Sequence, residues 1–348
     1  GCATFSKLRS TTFRASSIGD CLMGKYLLEN IHMQFPNARL GIVVGSRGAL
    51  LRDLFAAYPW LEIIEVNRRH PSSVISLWKD FRGSDLVVTQ YSGKAGGRFG
   101  LASKFVSRVL AKRGGLMGFT DASLWNDALY DHLLPVRADW AVAEHEREIL
   151  RAAGLPISIP FPTLTFVRDD AVLAMFQAEA GKYVVAHLFA GGSTRSLQPA
   201  KSRELLAALR RALPAETALI VSGTLTERES ALAIARGIDA KVIAGEATLQ
   251  EMMNLISRSS AVVSVDTGIA HIAAQLGVPL LVVRTCLGRN WWLPGQYGKN
   301  APIAVFSRDD LCAAGHGKGS PACINAISID EVARAVVAPR QGHEGLLR

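Results

Sequence analysis

The segment Ser264-Val-Asp-Thr-Gly-Ile-Ala-His271 sets a carboxylate, a hydroxyl, a glycine and an imidazole where an apolar run, Ala261–Val265, gives way to a run of small residues. The apolar run reads as a buried strand and the small residues as the start of a helix. Ligands of open parallel sheets collect at the carboxyl ends of strands. A helix N-terminus there offers unpaired N–H groups and a partial positive charge, which suits phosphate. Gly268 lets the backbone approach an anion closely, and His271 projects one turn further in. The same residues also have a plain structural reading, with Asp266 and Thr267 capping the helix and His271 packed in a core.

Further groups recur at strand ends. Gly191-Gly-Ser-Thr-Arg195 follows the run Tyr183–His187, so Ser193, Thr194 and Arg195 could surround a phosphate, with Arg195 pairing bidentately. Its plain alternative is a flexible surface loop. Glu227, in Ser222-Gly-Thr-Leu-Thr-Glu227, is an acid in the first turn of a helix, which stabilises that helix without any ligand. Asp20, in Ser16-Ser-Ile-Gly-Asp-Cys-Leu22, stands behind a glycine that permits a tight turn, and by itself such a Gly-Asp pair before a helix is usually a cap. Lys94, Arg98, Lys104, Arg108, Lys112 and Arg113 lie in one segment without an acid, interleaved with Phe99, Phe105, Val106 and Val109. An amphipathic basic helix there would suit a phosphorylated lipid headgroup or an anionic leaflet, against the alternative of an ordinary solvated face. Asp266 has no second acid beside it for a magnesium pair, and Cys312, His316 and Cys323 are poorly spaced for a metal, so no metal site is expected.

The elements that must hold these groups alternate strand and helix. Leu40–Val44, Glu62–Val66 and Leu86–Thr89 read as strands, with helices over Leu22–Met33 and Ala49–Tyr58. The rhythm continues with strands at Tyr183–His187, Ala218–Ser222, Ala261–Val265 and Leu280–Val283, and helices at Ser202–Ala212, Glu227–Arg236, Leu249–Ser257 and Gly268–Leu276. Such alternation means parallel βαβ units in an α/β protein. Three prolines within residues 154–162 mark a linker, so the chain is expected to form two Rossmann-like domains, 1–165 and 166–335, with a tail over 336–348.

Composition bounds the rest. At 348 residues, 49% hydrophobic and 20% charged, the chain is a packed globular protein, and no apolar run is long enough to span a membrane. The first residues lack an apolar signal core, and a start without Met reads as an expression remnant or a processed terminus. Five cysteines without a Cys-x-x-Cys pair argue against a disulfide framework and for a reducing cytoplasm. A net charge of +9 favours anionic partners, although no nucleic-acid recognition module is visible.

Val263-Ser-Val-Asp-Thr-Gly-Ile-Ala-His271 resembles the signature of glycosyltransferase family 9, the ADP-heptose:lipopolysaccharide heptosyltransferases. Ala247-Thr-Leu-Gln-Glu-Met252, Gly277-Val-Pro279, Tyr297-Gly-Lys-Asn300, Ser320-Pro-Ala-Cys-Ile324 and Ile329-Asp-Glu-Val332 match in order, and Ser16–Leu22 resembles the family's first turn. The resemblance implies the GT-B architecture, two Rossmann-like domains with parallel sheets facing a central cleft. It implies inverting transfer of a heptose from ADP-heptose to a lipopolysaccharide inner-core acceptor, with Asp20 as general base. It assigns Glu227 to the ribose, Ser193, Thr194, Arg195, Thr267 and Gly268 to the diphosphate, and Asp266 and His271 to the donor sugar or to orienting the turn. Lys94, Arg98, Lys104 and Arg108 would bind a phosphorylated acceptor, with peripheral contact at the anionic inner membrane face, and the nucleotide sugar would be a co-substrate with no resident cofactor. Two stretches depart from the family pattern: Arg195-Ser-Leu-Gln-Pro199 stands for a Lys followed by Trp-Pro, and Arg284-Thr-Cys-Leu-Gly288 for Phe-Gly-Pro-Thr. These leave room for another nucleotide sugar, for a protein or glycan acceptor, and for a non-catalytic nucleotide- or lipid-binding protein.

Overall fold

The computed structural model describes residues 8–67, 71–90, 101–120, 126–298, 301–312 and 322–338. The chain divides into two compact units, Gly1–Pro162 with Leu293–Gln296, and Thr163–Trp292 with Tyr297–Arg348.

The first unit carries strands β1 (Arg9–Phe13), β2 (Arg39–Val44), β3 (Leu61–Glu65), β4 (Leu86–Thr89), β5 (Leu116–Phe119) and β6 (His132–Leu134). Between and after them run α1 (Ile18–Gln34), α2 (Gly48–Leu54), α3 (Pro71–Phe81), α4 (Leu101–Leu110), α5 (Asn126–Leu129) and α6 (Val142–Ala152). All pairings are parallel, in the order β3-β2-β1-β4-β5-β6. A parallel sheet covered on both faces wants apolar strands, and β4 obeys. The central strand β1 does not. Ser10, Thr11 and Thr12 are fully buried there, and Thr12 pairs with Ile42 on one side and Val88 on the other. Ladder bonds on both edges satisfy its backbone, and β-branched threonine fits the pleat.

Helix α1 is longer than its apolar periodicity suggests, because Cys21 through Leu28 are buried on every side and no single face stands out. Its start is fixed by Ser17, whose hydroxyl accepts the Asp20 N–H at 3.2 Å. Helix α2 stops at Leu54 rather than Tyr58, since Phe55 and Tyr58 turn into the core and meet edge to face at 6.1 Å. Among the described residues, the basic segment is helical over Leu101–Leu110.

The second unit repeats the plan with β7 (Tyr183–His187), β8 (Ala218–Val221), β9 (Lys241–Val242), β10 (Ala261–Val265), β11 (Leu280–Val283) and β12 (Ile303–Phe306). Its helices are α7 (Ala171–Met175), α8 (Pro199–Ala212), α9 (Arg228–Ala235), α10 (Leu249–Arg258), α11 (Gly268–Gln275), α12 (Ala322–Asn325) and α13 (Ile329–Val337). The sheet is again parallel, in the order β12-β11-β10-β7-β8-β9. Leu205 and Leu209 of α8 and Val332 and Val336 of α13 share one buried cluster with Val184 and Leu219 of the sheet. Helix α10 opens with a capping box, in which Thr248 and Glu251 satisfy each other's backbone N–H groups.

Each sheet reverses its strand order once, between β1 and β4 and between β7 and β10. Such switch points leave a crevice at the carboxyl ends of the strands. In the first unit Arg14–Asp20 and Gln90 follow those ends, and in the second His187 and Asp266 lie there. No helix among the described residues is long and apolar enough to cross a membrane.

Candidate active site

At the switch point of the first unit, the Asp20 carboxylate is held by two donors from different elements. Ser17 Oγ, at the cap of α1, donates to Oδ2, and Gln90 Nε2, just past β4, donates to Oδ1. The Gln90 Oε1 accepts the Ala15 N–H at 2.7 Å, and the Gln90 N–H extends the ladder to the Phe13 carbonyl at 3.2 Å. Asp20 itself is half-buried, in the first turn of α1, where the helix field favours a carboxylate. It belongs to the helix start, and it lies beside the switch point of the sheet. Below it Arg14 forms a buried fork with Glu146 of α6, Nη2 to Oε2 at 2.7 Å, while its Nε reaches Thr12 Oγ1 at 2.7 Å.

At the switch point of the second unit, α11 begins at Gly268 with Thr267 in extended conformation and no side chain capping the N-terminus from that position. Its first N–H groups therefore have no partner within the helix and none from the Thr267 side chain. Asp266 just before it is almost fully buried. Its Oδ1 accepts Trp292 Nε1–H at 3.0 Å and lies 3.5 Å from His271 Nε2. Burial raises the Asp266 carboxyl above its ordinary value, against the pull of the Trp292 bond and of the Arg195 and Arg284 charges. His271 is stacked on Trp292 at 4.9 Å, tilted against Trp291 at 4.7 Å, and joined through Nδ1 to the Tyr297 hydroxyl at 2.6 Å. Burial lowers its pKa to about 3, with Arg195 adding to the effect, so the imidazole is neutral and its contact with Asp266 is not an ion pair.

Arg195 lies in the short 3-10 turn Ser193–Arg195 and is exposed, yet its charge reaches both Asp266 and His271. The glycine-rich loop and the α11 start are thereby brought to one place. Glu227 is engaged in a capping box, its Oε2 accepting the Thr224 N–H at 2.7 Å and the Thr224 hydroxyl at 2.9 Å. His187 bonds Ser222 Oγ at 3.0 Å, and burial lowers it to about 4, which makes it a structural histidine.

The basic helix does not present the face expected of it. Lys104 is buried, and Arg108 donates to Asp131 at 2.7 Å and to the Lys112 and Ala111 carbonyls at 2.9 and 3.2 Å. What α4 turns outward is Ala102, Phe105 and Val109. Arg108 is used instead to tie α4 to Asp131, just before β6. Lys94, Arg98, His316 and the side chains of Ser193 and Cys312 lie outside the described residues.

Three contributors escaped the sequence reading. Gln90 was signalled only as the first polar residue after the apolar β4 run. Gly288 packs its backbone on Asp266, which no local pattern announces. The contact of Tyr297 with His271 joins residues on separate elements.

Residues 142–284 match the family model described as glycosyltransferase family 9 (heptosyltransferase). The chain carries a glycosyltransferase family 9 domain. The match supports a glycosyltransferase, and both halves of the α11 motif, Asp266-Thr-Gly268 and His271, fall inside the matched region. Solved structures extend the likeness in fold to nearly the whole chain. Escherichia coli ADP-heptose lipopolysaccharide heptosyltransferase II is 17% identical with a TM-score of 0.70, covering 94% of this chain and 97% of that one. A family 9 glycosyltransferase from Veillonella parvula is 14% identical with a TM-score of 0.70, covering 94% and 95%. Escherichia coli heptosyltransferase WaaC with ADP is 18% identical with a TM-score of 0.63, covering 87% and 94%. The two parallel sheets are those of the GT-B glycosyltransferases. No curated protein matches the chain by sequence.

Proposed function

We propose that this family 9 domain protein transfers a heptose from ADP-heptose to a lipopolysaccharide inner-core acceptor with inversion at the anomeric carbon. The observation that carries the reading is the start of α11: an N-terminus without a Thr267 cap, at a switch point, beside the exposed Arg195. The reading is also supported by the heptosyltransferase description of the matched family and by the ADP-bound relative of the same fold.

In the transfer, an acceptor hydroxyl attacks the anomeric carbon as the bond from that carbon to the diphosphate breaks. The hydroxyl proton passes to the Asp20 carboxylate, a contribution of about 10²–10⁴-fold in rate. Charge builds on the departing diphosphate, where N–H groups of α11 and Arg195 meet it, with Ser193 and Thr194 of the glycine-rich loop assigned to the same phosphates. Glu227 takes the ribose hydroxyls, which a carboxylate accepts in pairs. Asp266 and His271, buried and bonded to Trp292 and Tyr297, hold the turn in shape. The reaction as written uses the nucleotide sugar as co-substrate with no resident cofactor. We place the reaction in the cytoplasm, because five cysteines without a Cys-x-x-Cys pair suit a reducing compartment.

Thermal unfolding with ADP, GDP and UDP tests the donor. Binding to the folded state raises stability by RT ln(1 + [L]/Kd), so ADP should raise the midpoint with concentration and the others should do so less. A larger shift with UDP or GDP would overturn the ADP assignment and favour transfer of another nucleotide sugar.

A further inference from the structure

We infer that Gln90 is a positioning residue for the reaction: its side-chain amide holds the Asp20 carboxylate in place and aims it at the acceptor. This rests on the proposed role of Asp20 as base.

Gln90 is the first residue after β4, and Asp20 lies in the first turn of α1, so the two meet where β1 and β4 adjoin at the switch point. The orientation of the amide is set by its other end. The Ala15 N–H can only donate, so the oxygen it meets at 2.7 Å is Oε1, and Nε2 is left to face Asp20 Oδ1. The Gln90 backbone is itself tied to Phe13 by the ladder. The amide therefore clamps the loop after β1 to the carboxylate in α1. With Ser17 Oγ on Oδ2, each carboxylate oxygen has a donor, one from the helix cap and one from the sheet.

Hydrogen bonds to the charged form of an acid favour that form and fix the plane of the carboxylate. A general base must be ionised before the acceptor binds and must present a lone pair along one direction, and the two donors serve both needs. Arg14 is spoken for by Glu146, and the Cys21 thiol, pushed up to about 12 by burial and by the Asp20 charge, stays neutral.

The experiment is the pH profile of kcat/KM for Gln90→Leu and Gln90→Glu, with ADP-heptose and a heptose-free lipopolysaccharide core as substrates. Removing the donor should move the acid limb upward by about one pH unit in Gln90→Leu. Placing a second carboxyl against Asp20 should move it further in Gln90→Glu, because the two acids then share a proton. The donor KM should hold within about twofold while kcat falls, since the donor contacts lie on other residues. Gln90→Glu keeps an acceptor for Ala15 N–H, so it carries the test if Gln90→Leu folds poorly by its thermal midpoint. An acid limb at the wild-type pH in both variants would overturn the proposal. Asp20→Asn separates the two readings: if it abolishes turnover while the limb stays put, only the role of Gln90 fails, and if it retains turnover, the base reading and this inference fail together.

Discussion

A Cβ built on Gly288 would stand 2.0 Å from Oδ2 of Asp266, so the backbone of the turn Cys286–Trp292 lies directly on the buried carboxylate. Trp292, from the same turn, bonds the other oxygen of that carboxylate and stacks on His271. The acid is thus enclosed by one short segment that also orders the histidine.

Gly288→Ala should therefore displace either the turn or Asp266. Overpacking of this kind costs about 1–3 kcal/mol, and the start of α11 should move with it. Urea unfolding should show the loss of stability, and the ADP-induced rise in thermal midpoint should shrink. An alanine variant with unchanged stability and unchanged ADP response would show that the close approach is not needed.

The Arg14–Glu146 fork is buried at both ends. Removing one partner leaves a charge without compensation, so Glu146→Ala should destabilise the first unit by about 3–5 kcal/mol. Arg14→Met combined with Glu146→Leu should cost less than Glu146→Ala alone. Unfolding free energies of the single and double variants check this, and a double variant worse than the single would mean that the pair contributes more than its mutual neutralisation.

His187 is neutral in the fold, lowered to about 4 by burial from an ordinary value of 6.5. Between those values the unfolded chain takes up a proton that the folded chain refuses, so the unfolded state gains as pH falls. Stability should drop from pH 6.5 towards pH 4 by at most about 1.4 kcal/mol per pH unit from this residue, levelling off below it. His271 adds the same sense of slope down to about 3, while Asp266, raised by burial, works in the opposite sense. His187→Gln should flatten the fall measured by urea unfolding at pH 7 and pH 5. Equal falls in the variant and the parent would contradict the assignment.

The β7, β10 and β11 runs were legible because they are short, apolar and bounded by turns, which is how strands buried on both faces look. β1 was not, since Ser10, Thr11 and Thr12 carry no hydrophobic signal and owe their burial to partners at β2 and β4. The turn at Asp266–Gly268 could be found from local spacing, because strand end, glycine and helix start are contiguous. Gln90 could not be matched to Asp20 in this way: they are 70 residues apart in sequence and meet only through the strand order. Lys104 and Arg108 show the opposite failure, in which a run of like charge suggested a binding face and the fold used its members for burial and bracing.

The central claim is that the Asp20 carboxylate removes the acceptor proton while a separate set of residues holds the donor. Turnover of ADP-heptose by Asp20→Asn, measured beside the ADP-induced thermal shift of the same variant, tests it most directly. The account predicts a loss of about 10²–10⁴-fold in kcat with the ADP shift intact. Turnover within a few-fold of the parent would contradict it.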